Sequence, residues 1–320
     1  MNRSSLLMAI LLAGVIGTQT GCDKTKEAVE TAKQAASEVS GAVKDVTPET
    51  KDQASEKLDA YIKGYNALVS GWGIREVYEH VQENDYTKQE KTDSANFTEN
   101  SSSIDRAIEL FRKGQAIKAE GMEDMDKAVA EFIPLGEKLS AQQKELKPYF
   151  DSKKYQDDKL AKAKEAYPVM VANFAASIAA LDKVSTLVAK YQRVESEKRI
   201  AKFKQSGDTL RYHTEEAMLD AQDLVALFDD PEKAIENPET YTKGDVALTK
   251  LEAVVEAQRK AYDEAKSKNA EHISSYDSIG DSLTSMIGAY RDLRTKKTPD
   301  AYNDLMKKYN TVIGNYNSAR

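Results

Sequence analysis

The chain has almost no cysteine: one residue in 320, at position 22. That excludes a disulfide framework and any zinc or iron–sulfur centre built from several thiolates. Histidine is nearly as scarce, with only His80, His213 and His272, which leaves little for metal ligation or proton transfer near neutral pH. There is no Gly-x-Ser-x-Gly elbow and no phosphate-cradling glycine loop, so hydrolase and nucleotide chemistry have no local signature. Excess positive charge is missing too. Lys and Arg number 46 against 53 Asp and Glu, a net charge of −7, which gives no electrostatic footprint for nucleic acid. Proline stands at only seven positions, too few to interrupt helices often. Beyond the N-terminus, no apolar run looks long enough to cross a bilayer, which takes about 20 residues.

What is present begins at the N-terminus. Leu6 to Ile16 is a short apolar segment, preceded by Arg3 and followed by Gln19-Thr20-Gly21-Cys22. It is too short to span a membrane and carries the flanks of an export signal. Compact Thr20 and Gly21 before the cysteine fit bacterial lipoprotein processing, with Gln19 where such signals usually carry Leu. A signal peptide over residues 1–21 is therefore expected, with Cys22 as the first mature residue. Acylation would consume its thiol as a thioether; a secreted chain would otherwise carry a lone thiol in an oxidising compartment. Each buried methylene contributes about 0.8 kcal/mol, so several acyl chains make a lasting anchor. Asp23 resembles the residue that retains some Gram-negative lipoproteins in the inner membrane, and favours that membrane over the outer one.

Residues 22–46 read as a lipidated N-terminus and a tether, either helical or flexible. Val29, Ala32, Ala36, Val39, Val43 and Val46 recur at spacings of three and four, a heptad stripe of small side chains that buries little by itself. Residues 47–320 read as one all-helical domain. Thr47-Pro48-Glu49 and Thr298-Pro299-Asp300 each combine a capping hydroxyl, a proline where its missing N–H is harmless, and an acid at the positive end of a helix. Leu58, Tyr61, Tyr65, Leu68 and Trp72 follow the first start on one face; Tyr302, Leu305, Tyr309, Val312 and Tyr316 follow the second. The shared Tyr-Asn-x-aliphatic pattern suggests that the first and last helices pack side by side.

Between them, residues 84–102 read as a polar loop before a helix capped near Ser102 or Ser103. That helix carries Ile104, Ile108 and Phe111, then Met122, Met125, Val129 and Phe132, with Pro134 as a kink or break. A long pattern from Asp157 to Phe228 is interrupted at Gly207. Residues 229–244, with Pro231 and Pro238, read as an exposed connection, with helix resuming near Asp245. Tyr276, Ile279, Leu283, Met286, Tyr290 and Leu293 form another heptad face. No strand-like alternation competes. The predicted fold is all-α, an elongated bundle of long antiparallel helices.

Two pairs could bring histidine to a carboxylate: Glu76 with His80, and His213 with Glu216, each on one helix face. The second pair is similar to the His-x-x-Glu core of imelysin-like periplasmic proteins, although Arg211 stands where those have glycine. His213 and Glu216 are therefore the candidates for a metal or small ligand, against a surface or polar-core role. Tyrosine stripes could line a groove, but such stripes are more often helix-packing core.

Several segments resemble the YiiG-like bacterial lipoprotein family, a domain of unknown function. They are Tyr61-Ile62-Lys63-Gly64-Tyr65-Asn66; Tyr155-Gln156-Asp157-Asp158-Lys159-Leu160-Ala161-Lys162-Ala163-Lys164-Glu165; Leu210-Arg211-Tyr212 with Met218-Leu219-Asp220-Ala221; and Ser274-Ser275-Tyr276-Asp277-Ser278 through Tyr309-Asn310. The resemblance spans about Lys57 to Tyr316 and implies an all-α envelope lipoprotein; it supplies no catalytic residue, substrate or cofactor. The expected function is a non-catalytic, lipid-anchored binding or assembly module facing the periplasm, with a membrane contact through its lipid, an envelope protein as partner and no nucleic acid. The alternative is a periplasmic metal or small-ligand binder.

Overall fold

The computed structural model describes residues 53–90, 92 and 95–319. The signal segment, Cys22, Asp23, the tether and the Thr47-Pro48-Glu49 cap lie outside these residues. Among the described residues the structure is all-α, with no strand. In chain order the helices are α1 (Gln53–Val69), α2 (Ile74–Glu83), α3 (Ser101–Ala116), α4 (Glu123–Asp151), α5 (Ala161–Ser206), α6 (Thr209–Ala226), α7 (Pro231–Ala234), α8 (Pro238–Ser267), α9 (Ser274–Lys296) and α10 (Pro299–Ser318).

The spine is α5, 46 residues long, or roughly 69 Å at the helical rise. By length and composition it alone among the described helices could cross a membrane, with a window of mean hydropathy 1.3. That corrects the expectation that no later run is long enough. Repeated alanines, densest from Ala172 to Ala180, supply much of the apolar character, while Phe174, Leu181, Val184 and Val188 are buried against neighbouring helices.

The first two-thirds of α5 lies antiparallel to α4. Lys162 pairs with Glu145 at 3.0 Å, Lys183 with Glu131 at 2.7 Å and Lys190 with Asp124 at 2.8 Å, so partner numbers fall as α5 numbers rise. Glu123, Asp124 and Asp126 occupy the first turn of α4, where carboxylates suit the positive helix end. The α4–α5 turn takes in the first part of the Tyr155–Glu165 segment, and α5 begins within it at Ala161. Lys159 and Leu160 adopt positive φ there. Asp158 holds the turn: its Oδ1 accepts from the Tyr149 hydroxyl at 2.7 Å and its Oδ2 from the Lys162 N–H at 3.3 Å. Burial pushes its carboxyl up, but these donors and the Ala161 and Leu160 amides outweigh burial and hold it below the usual range.

α1 and α3 pack through reciprocal notches. A Cβ on Gly64 of α1 would lie 2.6 Å from the Phe111 ring of α3, and one on Gly114 of α3 would lie 2.6 Å from Cδ1 of Tyr61 on α1. Each glycine is thus the hole for the other helix's aromatic knob, which brings the backbones close. Tyr61 is fully buried, and its hydroxyl donates to Asp126, which also accepts from Lys57 at 2.6 Å.

At Gly207, φ +74°, the chain reverses; an L-residue there would be strained. α6 then starts from Asp208, whose side chain accepts from the Arg211 N–H at 3.1 Å. A second hydrophobic cluster gathers α6, α8, α9 and α10, with Leu224, Phe228, Leu251, Leu283, Tyr290, Leu305 and Tyr309 at its centre. Thr298 caps α10 as expected, accepting from the Ala301 N–H at 3.3 Å.

Several sequence expectations are corrected. The first and last helices do not pair with each other: α1 packs chiefly on α3 and α10 chiefly on α9, because each belongs to a different hydrophobic cluster. Trp72 leaves the α1 stripe, since the helix ends at Val69 and Gly71 takes φ +66°; its ring is exposed and leans on His80. The break falls between α3 and α4, at Gly121 with φ +80°, whereas Pro134 lies within an unbroken α4. α3 begins at Ser101, where the Glu99 side chain accepts from the Ser101 N–H at 2.7 Å. α8 starts seven residues before Asp245 because Asn237 caps it, accepting from the Glu239 N–H at 3.0 Å with Pro238 in the first turn.

Candidate functional site

Glu76 and His80 do not form a site. His80 Nδ1 reaches Glu83 at 3.7 Å instead, and the fully exposed His272 stands in the α8–α9 loop. His213 and Glu216 do meet on α6, with Nδ1 3.2 Å from Oε2. Glu216 also accepts from the Tyr212 hydroxyl at 2.5 Å. Among the described residues, however, no group of three His, Cys, Asp or Glu side chains converges as a metal cage. One turn on, buried Asp220 accepts from Lys250 Nζ at 2.6 Å, while its Oδ2 is buried without a hydrogen-bond partner. Burial holds this carboxyl above the usual range despite the Lys250 charge.

The opposite face of α6 borders something different. Where the C-terminus of α5, the start of α6, the start of α9 and the end of α10 meet, they border a half-open cavity of about 200 Å³. Its floor is Thr214, Glu215 and Tyr316, all buried. Half-buried Arg199, Phe203, Tyr276 and Ala319 form the walls, and exposed Arg211 stands at the rim.

Glu215 is the hub of the floor. Its Oε1 accepts from the Tyr316 hydroxyl and lies 3.1 Å from Arg199 Nε, so one carboxylate links α5, α6 and α10. Arg199 also donates from Nη2 to Ser196 Oγ at 2.9 Å. Burial works against the Arg199 charge, but Tyr316 and Glu215 outweigh it and raise its pKa, so it stays cationic. Arg211 donates from Nε to the Tyr276 hydroxyl at 3.2 Å, and its guanidinium lies 5.8 Å from the Phe203 ring centroid, a cation–π distance. Its contact with Asp208 is longer, at 3.4 Å.

Helical geometry explains why adjacent Glu215 and Glu216 have separate fates: about 100° apart on α6, one turns to the cavity and the other to His213. The cavity residues were not legible as a site, because they come from four helices. One signal was available. The buried stripe of α5 passes from Val184 and Val188 to Gln192 and Ser196, then to Arg199 and Phe203 at the same register. A core face that turns polar marks a place where something other than packing is served.

The family described as Protein of unknown function (DUF3829) matches residues 52–318, and the chain belongs to that family. No curated protein and no solved structure matches the chain.

Proposed function

We propose that this DUF3829 member is a lipid-anchored, periplasm-facing lipoprotein of the YiiG-like kind, non-catalytic, that works as a binding module. Acylated Cys22 would be its membrane contact, and Asp23 favours retention at the inner membrane. The lone cysteine behind a short apolar leader supports the anchor; the motif segments from Tyr61 to Tyr309 support the kinship. The observation that carries the binding role is the cavity of about 200 Å³ with an ion pair in its lining. Protein interiors are close-packed, and a buried charge pair seldom improves stability over apolar residues of the same volume. An ion pair beside a void is thus poorly accounted for by stability.

The tyrosine stripes themselves are core, as Tyr61, Tyr65, Tyr290, Tyr302 and Tyr309 are all buried. Only Tyr276 and Tyr316 line the cavity. Crosslinking in cells followed by capture of the full lipidated chain, with a parallel screen of bound small molecules, tests the role. Recovery of neither a specific envelope protein nor a co-purifying ligand would sink it.

A second reading, metal binding at His213 and Glu216, is favoured by their 3.2 Å approach. Metal analysis of the purified protein and of His213→Ala separates it from the first: equal metal content in both excludes these ligands.

A further inference from the structure

We propose that the cavity between α5, α6, α9 and α10 is a receptor for a small organic anion: a carboxylate carried on a flat ring, gripped by Arg211 with its ring against Phe203 and Tyr276. This rests on the binding role proposed above and names the ligand class.

The sign of the site follows from its charges. Two helix N-termini and two C-termini meet there, so their macrodipoles cancel to first order and the side chains decide. Two guanidinium groups face one carboxylate, Glu215. Glu215 already pairs with Arg199 and accepts from Tyr316. Arg211 is paired from outside the cavity lining, with Asp208 at 3.4 Å, a partly exposed contact that an incoming carboxylate can share. With Asp208 counted the two guanidinium groups are balanced by two carboxylates, but only Glu215 lines the cavity, so the side of Arg211 that an incoming ligand meets is cationic.

Shape and lining select among anions. A cavity of about 150 Å³ suffices for benzene; one of about 200 Å³ has room for a ring that bears a carboxylate. Phe203, Tyr276 and Tyr316 supply aromatic walls, on which a planar ligand stacks. The guanidinium fork matches carboxylate geometry with two parallel hydrogen bonds. Inorganic phosphate would bring greater charge but no surface for those rings.

The test is calorimetric titration of the full chain with benzoate, benzamide, inorganic phosphate and benzylamine, on wild type and Arg211→Gln. The Arg211 side chain is 56% exposed, so its replacement leaves the core intact, and an unchanged circular-dichroism melt checks this. Benzoate should bind weakly but saturably, and Arg211→Gln should weaken it by at least about tenfold, as expected for loss of charge-assisted bonds. Benzamide should bind at least as poorly to wild type as benzoate does to the variant. Arg211→Lys, which keeps the charge and loses the fork, should fall between the two.

If benzamide or benzylamine binds as tightly as benzoate, or Arg211→Gln binds it unchanged, the anion class is overturned while the cavity remains a binding site. If phosphate displaces benzoate at equal concentration, the ring requirement is overturned. If no ring compound binds at solubility-limited concentration, this inference fails; the binding role itself then stands or falls on the capture experiment.

Discussion

Gly244 on α8 is the sharpest test of how the C-terminal helices pack. A Cβ built there would lie 2.8 Å from Cζ and 3.0 Å from Cε2 of Tyr290, and closer still to its hydroxyl. Tyr290 is fully buried on α9 and has little room to retreat. Alanine in mid-helix is intrinsically better than glycine by about 1 kcal/mol, while overpacking a tight core costs about 1–3 kcal/mol. With two ring atoms and the hydroxyl oxygen inside contact distance the cost falls at the upper end, so Gly244→Ala should destabilise by about 2 kcal/mol, or about 4–8 °C in Tm for a chain of this size. Tyr290→Phe alone removes a hydroxyl whose hydrogen bonds to the Tyr241 carbonyl and Asp245 are long, 3.4 Å each, and should cost no more than about 1 kcal/mol. In the double variant the phenylalanine lacks the atom that collides most. It should therefore recover about 1 kcal/mol of the Gly244→Ala loss. Urea unfolding of the four proteins reads this cycle. If Gly244→Ala is stabilising, as helix propensity alone would have it, or if the two effects simply add, the notch between α8 and α9 is not as described.

Further expectations follow from the charges and the anchor. Asp220 is held above the ordinary carboxylate range by burial, so its ionised form costs the folded state stability at neutral pH. Asp220→Asn should raise Tm at pH 7, and the gain should shrink as acid protonates the native carboxyl first; a lower Tm at pH 7 would refute this. Asp124 has the opposite sign: Lys190 and Tyr191 hold its carboxyl below the usual range, so its contribution is present above the unfolded pKa and is lost as pH falls through the folded one. Because the pair is partly exposed, Asp124→Asn should cost at most about 1 kcal/mol near pH 7, and the difference in Tm should vanish in strong acid. Glu215→Leu strands Arg199 and should cost about 3 kcal/mol, whereas the double change with Arg199→Met should recover most of it; urea midpoints decide. Cys22→Ser should move the protein out of the membrane fraction or leave it unprocessed, as read by fractionation and intact mass.

Legibility varied with the range of the forces involved. The Gly207 reversal and the Thr298-Pro299 start could be read directly, because each depends on residues within one turn. Pro134 misled for the same reason in reverse: within α4 its lost hydrogen bond is tolerated by a helix packed along its length, which no local rule reports. Trp72 misled because its spacing continues a heptad that Gly71 has already ended. Of the candidate ligand residues, the His213–Glu216 pairing was readable from a three-residue spacing on one helix. The cavity was not, since Arg199, Glu215, Tyr276 and Tyr316 stand far apart in sequence and meet only through the packing of four helices.

By itself the sequence determined that this chain is helical, where some of its helices start and stop, and that a short apolar segment precedes a single cysteine; these follow from periodicity, capping and breakers, which act over a few residues. Only the tertiary structure decided which helices are partners. The notches at Gly64, Gly114 and Gly244 let particular backbones approach, and that close approach, not the similarity of the tyrosine stripes, separates α1 from α10. The same packing places two arginines, a glutamate and three aromatic rings around one cavity, because long-range register is set by side-chain volume across an interface, a quantity that no single helix carries.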